Sequence, residues 1–393
     1  MKKLAIIITH PIQYYAPVFR LLARSCQLKV FYTLGKQNDY DAGFKQAITW
    51  DIPLLEGYEY EFLANNSKNP GAHYFGGIAN PLLLKRIEDF LPDAILVYGW
   101  SYKSHLKAIR HFKGKIPVWF RGDSNLLDEK PGLKKYIRHL FLKWVYKHID
   151  KAFYVGTANK AYYVAFGLKA TQLVFAPHAI DNNRFSENRQ AEAKQLRESL
   201  GLKGREYLIA FAGKFEPKKD PEILLSAFIE LNLSNVHLLF VGNGILEENL
   251  KDQSKKMSAE RTTKSEQRTT NIHFIDFQNQ SQMPAVYQAC DLFCLPSKGP
   301  GETWGLAINE AMAAGKAILV TNKVGCAIDL VKNEVNGAIF EAGNRNELKN
   351  KLTSLVENPE RLFEMGNQSA NEIKEWTIEK QAQIIINELN ATN

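Results

Sequence analysis

Short runs of apolar residues recur along the chain, separated by polar segments of helix or loop length. The first run, residues 4–9, is continuous rather than alternating, which is typical of a strand buried on both faces of a parallel sheet. Similar runs follow at residues 28–32, 94–98, 118–120 and 152–155, and a second series lies at residues 207–212, 236–241, 272–275, 292–295 and 317–320. The alternation predicts two doubly wound α/β domains in tandem.

A polar stretch at residues 186–205 separates the two series of predicted strands. We therefore place the first domain at residues 1–185 and start the second at residue 186. A length of 393 residues, with 45% hydrophobic and 23% charged residues, suits two ordinary domains with sizeable cores. Residues 251–270 are rich in Lys, Glu, Ser, Thr and Gln, which predicts a mobile insertion extending a helix end.

The sequence carries no predicted leader or membrane-spanning segment. His10 and Pro11 end the first apolar run, and charged residues interrupt every other candidate before the ~18 apolar residues that a spanning helix needs. We expect a cytoplasmic protein. Four scattered cysteines do not form a disulfide framework.

Positive charge is concentrated in the first half. Residues 1–185 contain 26 Lys and Arg against 14 Asp and Glu, whereas the remainder contains 24 against 28. Without nucleic-acid-binding motifs, this asymmetry predicts attraction to lipid headgroups or to a phosphate-bearing acceptor, with general solubility as the alternative.

Residues 132–151 read as a basic amphipathic helix, in which lysines and Arg138 alternate with Ile137, Leu140, Phe141, Trp144 and Val145. Packing of its apolar stripe on the first sheet would explain the pattern. Alternatively, its basic rim faces the headgroups of the inner membrane surface, as in a peripheral membrane protein.

The most informative segment, residues 295–321, reads LPSKGPGETWGLAINEAMAAGKAILVT. It predicts a strand end, a Gly-rich loop, a helix beginning near Trp304 and a further strand. Glycines let backbone amides approach a ligand, and a helix N-terminus attracts phosphate, so the segment describes an anion site. Glu302 and Glu310 lie eight residues apart, so one carboxylate can meet a sugar and the other a ribose.

This segment resembles the E-x7-E signature of family 4 retaining glycosyltransferases, which have the GT-B fold: two Rossmann-like domains with a deep interdomain cleft. Further segments match the family in order: PHAIDNNRF at residues 177–185, AGKFEPKKD at 212–220, FVGNGILEENL at 240–250, and the stretch at 271–297. The resemblance implies a donor-binding domain at residues 186–375 and a helix at 376–393, starting at Trp376, that crosses back to the acceptor-binding first domain.

The resemblance also implies the site residues. Lys214 and Lys219 would bind the donor diphosphate, although Lys214 stands where the family usually has Arg and so lacks the bidentate guanidinium. Glu302 would contact sugar hydroxyls and Glu310 the ribose. The donor site would be completed by glycines, base-contacting residues and the first amides of the helix: Gly213, Gly242, Phe277, Gln278, Thr303, Trp304, Gly305 and Leu306.

The first half departs more from the family. The turn after the first strand reads THPIQYYAP where many members have a Gly-Gly loop, which places His10, Gln13 and Tyr14 on the acceptor side. Asp123, in RGDSN, stands near the position of a His that touches the donor sugar in many members. The role of that His does not carry over to Asp123.

The implied reaction moves a sugar from a nucleoside diphosphate sugar to an acceptor hydroxyl with retained configuration, in bacterial cell-surface polysaccharide or glycolipid synthesis. We expect neither cofactor nor metal, because the Asp-x-Asp match at Asp39 and Asp41 is far in sequence from the donor segments. The alternative is a nucleotide-sugar-binding protein or epimerase of the same fold, without transferase activity.

Overall fold

The computed structural model describes residues 1–36, 40–41, 43–44, 46–204, 206–262 and 271–392. The chain forms two compact units. Unit 1 comprises residues 1–38, 52–179 and 376–393, and unit 2 comprises residues 39–51 and 180–375.

The strands, numbered in chain order, are β1 Lys3–Ile8, β2 Gln27–Tyr32, β3 Tyr40–Asp41, β4 Gln46–Ala47, β5 Glu59–Phe62, β6 Ala94–Tyr98, β7 Val118–Arg121, β8 Lys151–Tyr154, β9 Leu173–Phe175, β10 Tyr207–Ala212, β11 Val236–Val241, β12 Ile272–Ile275, β13 Leu292–Leu295, β14 Ala317–Thr321 and β15 Gly337–Phe340.

The α-helices are α1 Ala16–Ala23, α2 Leu83–Phe90, α3 Lys103–Phe112, α4 Leu133–Tyr146, α5 Thr157–Ala165, α6 Asn182–Ser186, α7 Gln190–Ser199, α8 Pro221–Leu231, α9 Glu247–Thr262, α10 Met283–Ala289, α11 Leu306–Ala313, α12 Ala327–Leu330, α13 Arg345–Val356, α14 Pro359–Glu372 and α15 Ile378–Asn390. Among the described helices, none is both long enough and apolar enough to cross a membrane.

Unit 1 is built on a seven-stranded sheet in the order β5-β2-β1-β6-β7-β8-β9, and its neighbouring strands are parallel. Side chains of β1 alternate between two cores: Leu4, Ile6 and Ile8 point to one face, and Ala5 and Ile7 to the other. Burial on both faces is why this strand has a continuous apolar sequence. Helices α1 and α15 cover the first face.

Unit 2 contains a six-stranded parallel sheet in the order β12-β11-β10-β13-β14-β15. The order reverses at β10, whose neighbours are β11 and β13. In such sheets the loops at the carboxyl ends of the strands form the ligand site beside this reversal. We therefore expect the ligand site of unit 2 at the loops after β10, β11 and β13.

The predicted fold class, two doubly wound parallel α/β domains, is confirmed. The observed ranges of β10 to β13 equal the predicted ones, whereas β3, β4, β5, β9 and β15 were not predicted. Unit 2 begins at Ile180, inside the range that the sequence analysis gave to the first domain, and it also includes residues 39–51. Of the segment predicted to be an insertion, residues 251–262 continue α9, and residues 263–270 lie outside the described residues.

Candidate active site

The Gly-rich loop between β13 and α11 has a backbone that requires glycine. Gly305, the residue before α11, has a φ of 98° in the left-handed region. A Cβ atom there would lie 2.6 Å from Cγ1 of Val324. Glycine therefore sets where α11 begins, and the first amides of the helix, which include Leu306, face the end of the loop.

Glu302 is the central charged group of this loop and is 7% exposed. Its Oε2 atom lies 2.5 Å from Nζ of Lys219 and accepts a 3.0 Å hydrogen bond from the hydroxyl of Ser297. The structure thus brings together two residues that the sequence analysis assigned to the site from separate motifs. A low-dielectric setting strengthens the attraction between the two charges and also raises the cost of separating them.

A short 3₁₀ turn, Pro217–Lys219, connects the loop after β10 to the Gly-rich loop through hydrogen bonds. The backbone carbonyl of Lys218 accepts hydrogen bonds from the amides of Lys298 (2.9 Å) and Gly299 (3.2 Å). Beside it, Nζ of Lys298 lies 2.9 Å from Oδ1 of the buried Asp220. These bonds fix the position of Lys219 relative to Glu302.

Glu310 lies on α11 with 4% exposure, and its Oε2 accepts a 2.7 Å hydrogen bond from the hydroxyl of Tyr287. Two residues before α11, the indole N–H of the buried Trp304 donates to Oδ1 of Asn309 (2.9 Å). Trp304 therefore packs in the interior of unit 2, and its place in the donor site can only involve its backbone. The carbonyls of Glu302 and Trp304 accept hydrogen bonds from the 325–326 turn.

The ends of β10 and β11 approach each other very closely. A Cβ atom on Gly242 would lie 2.2 Å from the carbonyl oxygen of Gly213, and φ is 128° at Gly242 and 148° at Gly213. Two glycines are needed for this approach, which leaves backbone rather than side chains at the switch point of the sheet.

Lys214 and Phe277 are covered by residues from the 43–51 segment. The ring centroids of Phe44 and Phe277 are 4.7 Å apart, Trp50 stands edge-on to Phe277 at 6.0 Å, and Nζ of Lys214 lies 5.0 Å from the centroid of Phe44. Gln278 follows Phe277 and bonds through its side-chain amide to the carbonyl of Asp276.

Hydrogen bonds anchor the same segment to the loop after β12. The side-chain amide of Asn279 donates to the carbonyl of Thr49 (2.7 Å), and the amide of Ser281 donates to the Asp51 carboxylate (3.1 Å). Sequence reasoning missed this contact because it joins residues more than 200 positions apart. An aromatic cluster at Phe44 and Trp50, within an otherwise polar loop, was the available signal.

The predicted acceptor residues belong to unit 1, at the carboxyl edge of its sheet. His10, Gln13 and Tyr14 follow β1, and Asp123 follows β7. His10 is exposed, with its Nδ1 atom 2.9 Å from the hydroxyl of Thr9, and the other three are half-buried.

A buried polar cluster behind this edge was not predicted. Tyr15 packs against Tyr98 at 4.8 Å between ring centroids and stacks on His178 at 5.9 Å. Arg121, 1% exposed, donates to the carbonyls of Ala176 and Pro177. Burial, reinforced by the nearby Arg121 charge, holds the pKa of His178 well below its usual range, so this ring is neutral at physiological pH.

No group of three or more His, Cys, Asp or Glu side chains within the part of the chain that the structure describes is arranged to hold a metal ion. Asp39, the first acid of the Asp-x-Asp match, lies outside the described residues, whereas Asp41 is in β3. Residues 39–51 belong to unit 2, and Phe44 lies beside Lys214, so the match is not far from the donor loops as the sequence analysis assumed. Cys326 is buried beside the site, and burial together with the Glu302 charge raises the pKa of its thiol, which is thus protonated.

Part of the chain, which includes the Gly-rich loop, matches a known family model. Residues 192–372 match the family model of glycosyl transferases group 1. A D-inositol 3-phosphate glycosyltransferase of Segniliparus rotundus is 32% identical over 192 residues, which cover 48% of this chain and 40% of that protein. A Rhodococcus erythropolis protein of the same name is 28% identical over 228 residues, covering 57% and 49%. The chain thus aligns with less than half of the length of these curated relatives.

Solved structures match over the whole chain. The Anabaena protein HepE in complex with UDP aligns with a TM-score of 0.73, 18% identity and full coverage of both chains. A sucrose-phosphate synthase of Thermosynechococcus elongatus gives a TM-score of 0.75 at 16% identity, again with full coverage of both. WaaG, a glycosyltransferase involved in lipopolysaccharide biosynthesis, gives 0.67 at 13% identity, covering 98% of this chain and 99% of its own. The chain therefore has the two-domain GT-B fold of these proteins, and its residues 192–372 carry the sequence pattern of group 1 glycosyl transferases.

Proposed function

We propose that this protein is a retaining glycosyltransferase that moves a sugar from a nucleoside diphosphate sugar to an acceptor hydroxyl. The observation that carries the proposal is the Glu302–Lys219 pair, held in a Gly-rich loop at the start of α11 and within the family-matched range. Unit 2 would bind the donor and unit 1 the acceptor. UDP and UDP-glucose complexes of the structurally similar Anabaena protein support a nucleotide-sugar donor.

Departure of the nucleoside diphosphate is the difficult step, because negative charge develops on the leaving phosphate. Lys214, Lys219 and the backbone amides of residues 303–306 are the proposed groups that offset this charge. An ammonium group has three donors, so Lys219 can keep its contact with Glu302 while donating to a phosphate oxygen. The position of the pair is set before the donor binds, and little reorganisation is needed.

The two carboxylates take different tasks in this proposal. Glu302 accepts hydrogen bonds from hydroxyls of the transferred sugar, and Glu310, oriented by Tyr287, accepts from the ribose of the nucleotide. Gly213 and Gly242 let the backbone approach the donor, and Phe277 and Gln278 lie beside the base.

The acceptor is proposed to be a glycan or a lipid-linked sugar of bacterial cell-surface polysaccharide or glycolipid synthesis, handled at the inner face of the membrane. His10, Gln13, Tyr14 and Asp123 are the residues of unit 1 assigned to it. The name of WaaG, a glycosyltransferase involved in lipopolysaccharide biosynthesis, supports a cell-surface acceptor, whereas the name of the inositol phosphate glycosyltransferases supports a phosphate-bearing acceptor.

No metal is required in the proposed mechanism, because Lys214, Lys219 and the first amides of α11 are proposed to offset the charge of the diphosphate. Activity should persist after treatment with a chelator. Loss of activity with EDTA and recovery with Mn²⁺ or Mg²⁺ would contradict this part of the proposal, and loss on Asp39→Ala would identify Asp39 as part of the metal site.

A donor panel tests the function itself. UDP-, GDP-, ADP- and dTDP-sugars are incubated with wild type and Glu310→Ala, with and without a lipid-linked acceptor extract, and nucleoside diphosphate release is measured. One donor should be consumed, and Glu310→Ala should fail. Glu364→Ala, which removes an exposed carboxylate of the same unit, is the matched control and should release nucleoside diphosphate as wild type does.

The products separate the remaining possibilities. NMR of the product should show the anomeric configuration of the donor, and an inverted anomer would contradict the retaining mechanism. Donor bound without transfer, or converted to an epimer without acceptor, would identify the nucleotide-sugar-binding protein or epimerase instead.

A further inference from the structure

Helix α4 carries two apolar faces, of which one is buried in the core of unit 1 and the other is largely exposed, with Phe141 at its edge packed 5.5 Å from the ring of Trp100. Leu142, Val145 and Tyr146 are buried in the unit 1 core, together with Ile149 just beyond the helix. At 3.6 residues per turn these positions share one side of the helix. Packing against the sheet therefore explains this face alone.

The second apolar face is on the opposite side and is exposed. Its residues follow the spacing i, i+3, i+4, i+7, i+8, which is one continuous stripe of a helix. We call this set the α4 patch: Leu133, Tyr136, Ile137, Leu140 and Phe141, which are 75%, 62%, 59%, 52% and 40% exposed. A contiguous patch of this kind is uncommon on a monomer and marks a surface that another molecule covers.

Positive charge borders the α4 patch. Lys134 lies on one side of the stripe and Lys143 and Lys147 on the other, and all three are exposed. Lys135 and Arg138 lie towards the buried side, where both form ion pairs with Glu129 (3.0 and 2.7 Å). The α4 sequence contains neither Asp nor Glu.

The neighbouring helix α3 extends this basic surface. It also lacks acidic residues, and Lys103, Lys107 and Arg110 are exposed on it. The Arg110 guanidinium lies 5.1 Å from the ring centroid of Trp144 on α4, so the two helices adjoin.

The start of α4 lacks the side-chain cap and the acidic residues that stabilise a helix N-terminus. The residue before it is Gly132, which offers no side-chain cap, and the first turn has two lysines and no acid. Cations at a helix N-terminus oppose the helix dipole. The ion pair with Glu129 accounts for Lys135 within the fold. Binding to a negatively charged apolar surface accounts for the exposed Lys134 beside the α4 patch.

We propose that the α4 patch and its lysine rim form a membrane-docking surface that inserts Leu133, Ile137 and Leu140 among the headgroups of anionic lipids. The apolar stripe supplies burial in the interface and the lysines supply attraction to the lipid charge. This surface is separate from the donor loops of unit 2, so its test needs no donor and its failure would leave the proposed reaction untouched.

Co-sedimentation with vesicles tests the proposal on the full chain. Wild type is mixed with vesicles of phosphatidylcholine alone and of phosphatidylcholine with phosphatidylglycerol, at low and high salt. The protein should sediment with the anionic vesicles and be partly released by salt. Ile137→Ser/Leu140→Ser, and separately Lys134→Gln/Lys143→Gln/Lys147→Gln, should each weaken binding by at least about tenfold.

Two matched controls keep the result specific. Val164→Ser removes an apolar side chain of unit 1 that is 53% exposed, and Lys194→Gln removes an exposed lysine of unit 2. Both should bind as wild type does, and circular dichroism checks that every variant is folded. Absence of binding by wild type, or unchanged binding by the folded patch variants, would overturn the proposal. So would a dimer that the Ile137→Ser/Leu140→Ser change dissociates, since the patch would then cover a second copy.

Discussion

At the residue scale, the charges of Glu302 and Lys219 depend on each other. Taking both out of water is costly, and only their close contact and the Ser297 hydrogen bond offset that cost. The two residues come from motifs far apart in sequence, so sequence analysis assigned each to the site without predicting that they touch. Ser297 and Tyr287, which orient the two carboxylates, were missed because a lone hydroxyl carries no signal in sequence.

The losses of stability caused by removing Lys219 or Glu302 alone should not add up to the loss caused by removing both. Lys219→Met leaves a nearly buried carboxylate without its cation and should lower the free energy of unfolding of unit 2 by about 3 kcal/mol. The double variant Lys219→Met/Glu302→Gln should be more stable than the sum of the single changes implies, as measured by urea unfolding. Strictly additive losses would show that the two side chains do not interact.

A pair of histidines at the start of β11 and β12 should make stability fall in mild acid. Nδ1 of His237 lies 2.8 Å from Nε2 of His273, and burial, assisted by the His237 charge, lowers the pKa of His273 to about 4. The unfolded chain, with a histidine pKa near 6.5, then binds more protons than the folded chain between those values. Stability is therefore complete above about pH 6.5 and declines as the pH falls towards 4.

His273→Gln should flatten this part of the pH dependence of urea unfolding, whereas His73→Gln, at an exposed position, should leave it unchanged. The buried His105 and His178, whose pKa values burial also lowers, should maintain a residual slope. The explanation fails if the slope of the His273 variant equals that of wild type.

At the element scale, apolar content decided which strands could be predicted. Strands β10 to β13 are rich in apolar residues, with His237 in β11 and His273 in β12 as interruptions, so their ranges could be read directly. The edge strand β5 has the sequence EYEF, which contains no apolar run. Both of its glutamates form ion pairs with Lys29 of the neighbouring strand β2. β9 has only three residues, and β15 starts at a glycine, which interrupts the apolar pattern expected of a strand.

Helix α15 packs on one face of the sheet of unit 1. Its residues Ile378, Ile385 and Leu389 are part of the core that also contains α1 and one face of β1. Leu389→Ala should cost about 2–5 kcal/mol in that core. Hydrogen exchange should show reduced protection of amides in α1 and β1, with β10 to β13 unchanged.

Gln383→Ala, on the exposed side of the same helix, is the control and should leave protection as in wild type. Equal loss of protection in both variants, or loss confined to unit 2, would show that α15 does not stabilise unit 1 through its buried side.

At the scale of the whole molecule, the two units differ in charge and in their similarity to known proteins. The basic residues of α3 and α4 account for much of the positive charge of unit 1, whereas unit 2 holds the Gly-rich loops and the family match. The fold class follows from apolar runs alone. The path of residues 39–51 into unit 2 does not, because it is decided by long-range contacts such as Phe44 with Phe277.

The most direct test of the central claim is sugar transfer by wild type and Lys219→Met, measured as incorporation of radiolabelled sugar into acceptor from the donor that the panel identifies. Lys194→Met, an exposed lysine of the same unit, is the control. We expect transfer by wild type and by Lys194→Met, and a loss of at least about a hundredfold for a folded Lys219→Met, because a group that offsets the leaving-group charge is missing. Transfer by folded Lys219→Met at the wild-type rate would contradict the proposed role of Lys219.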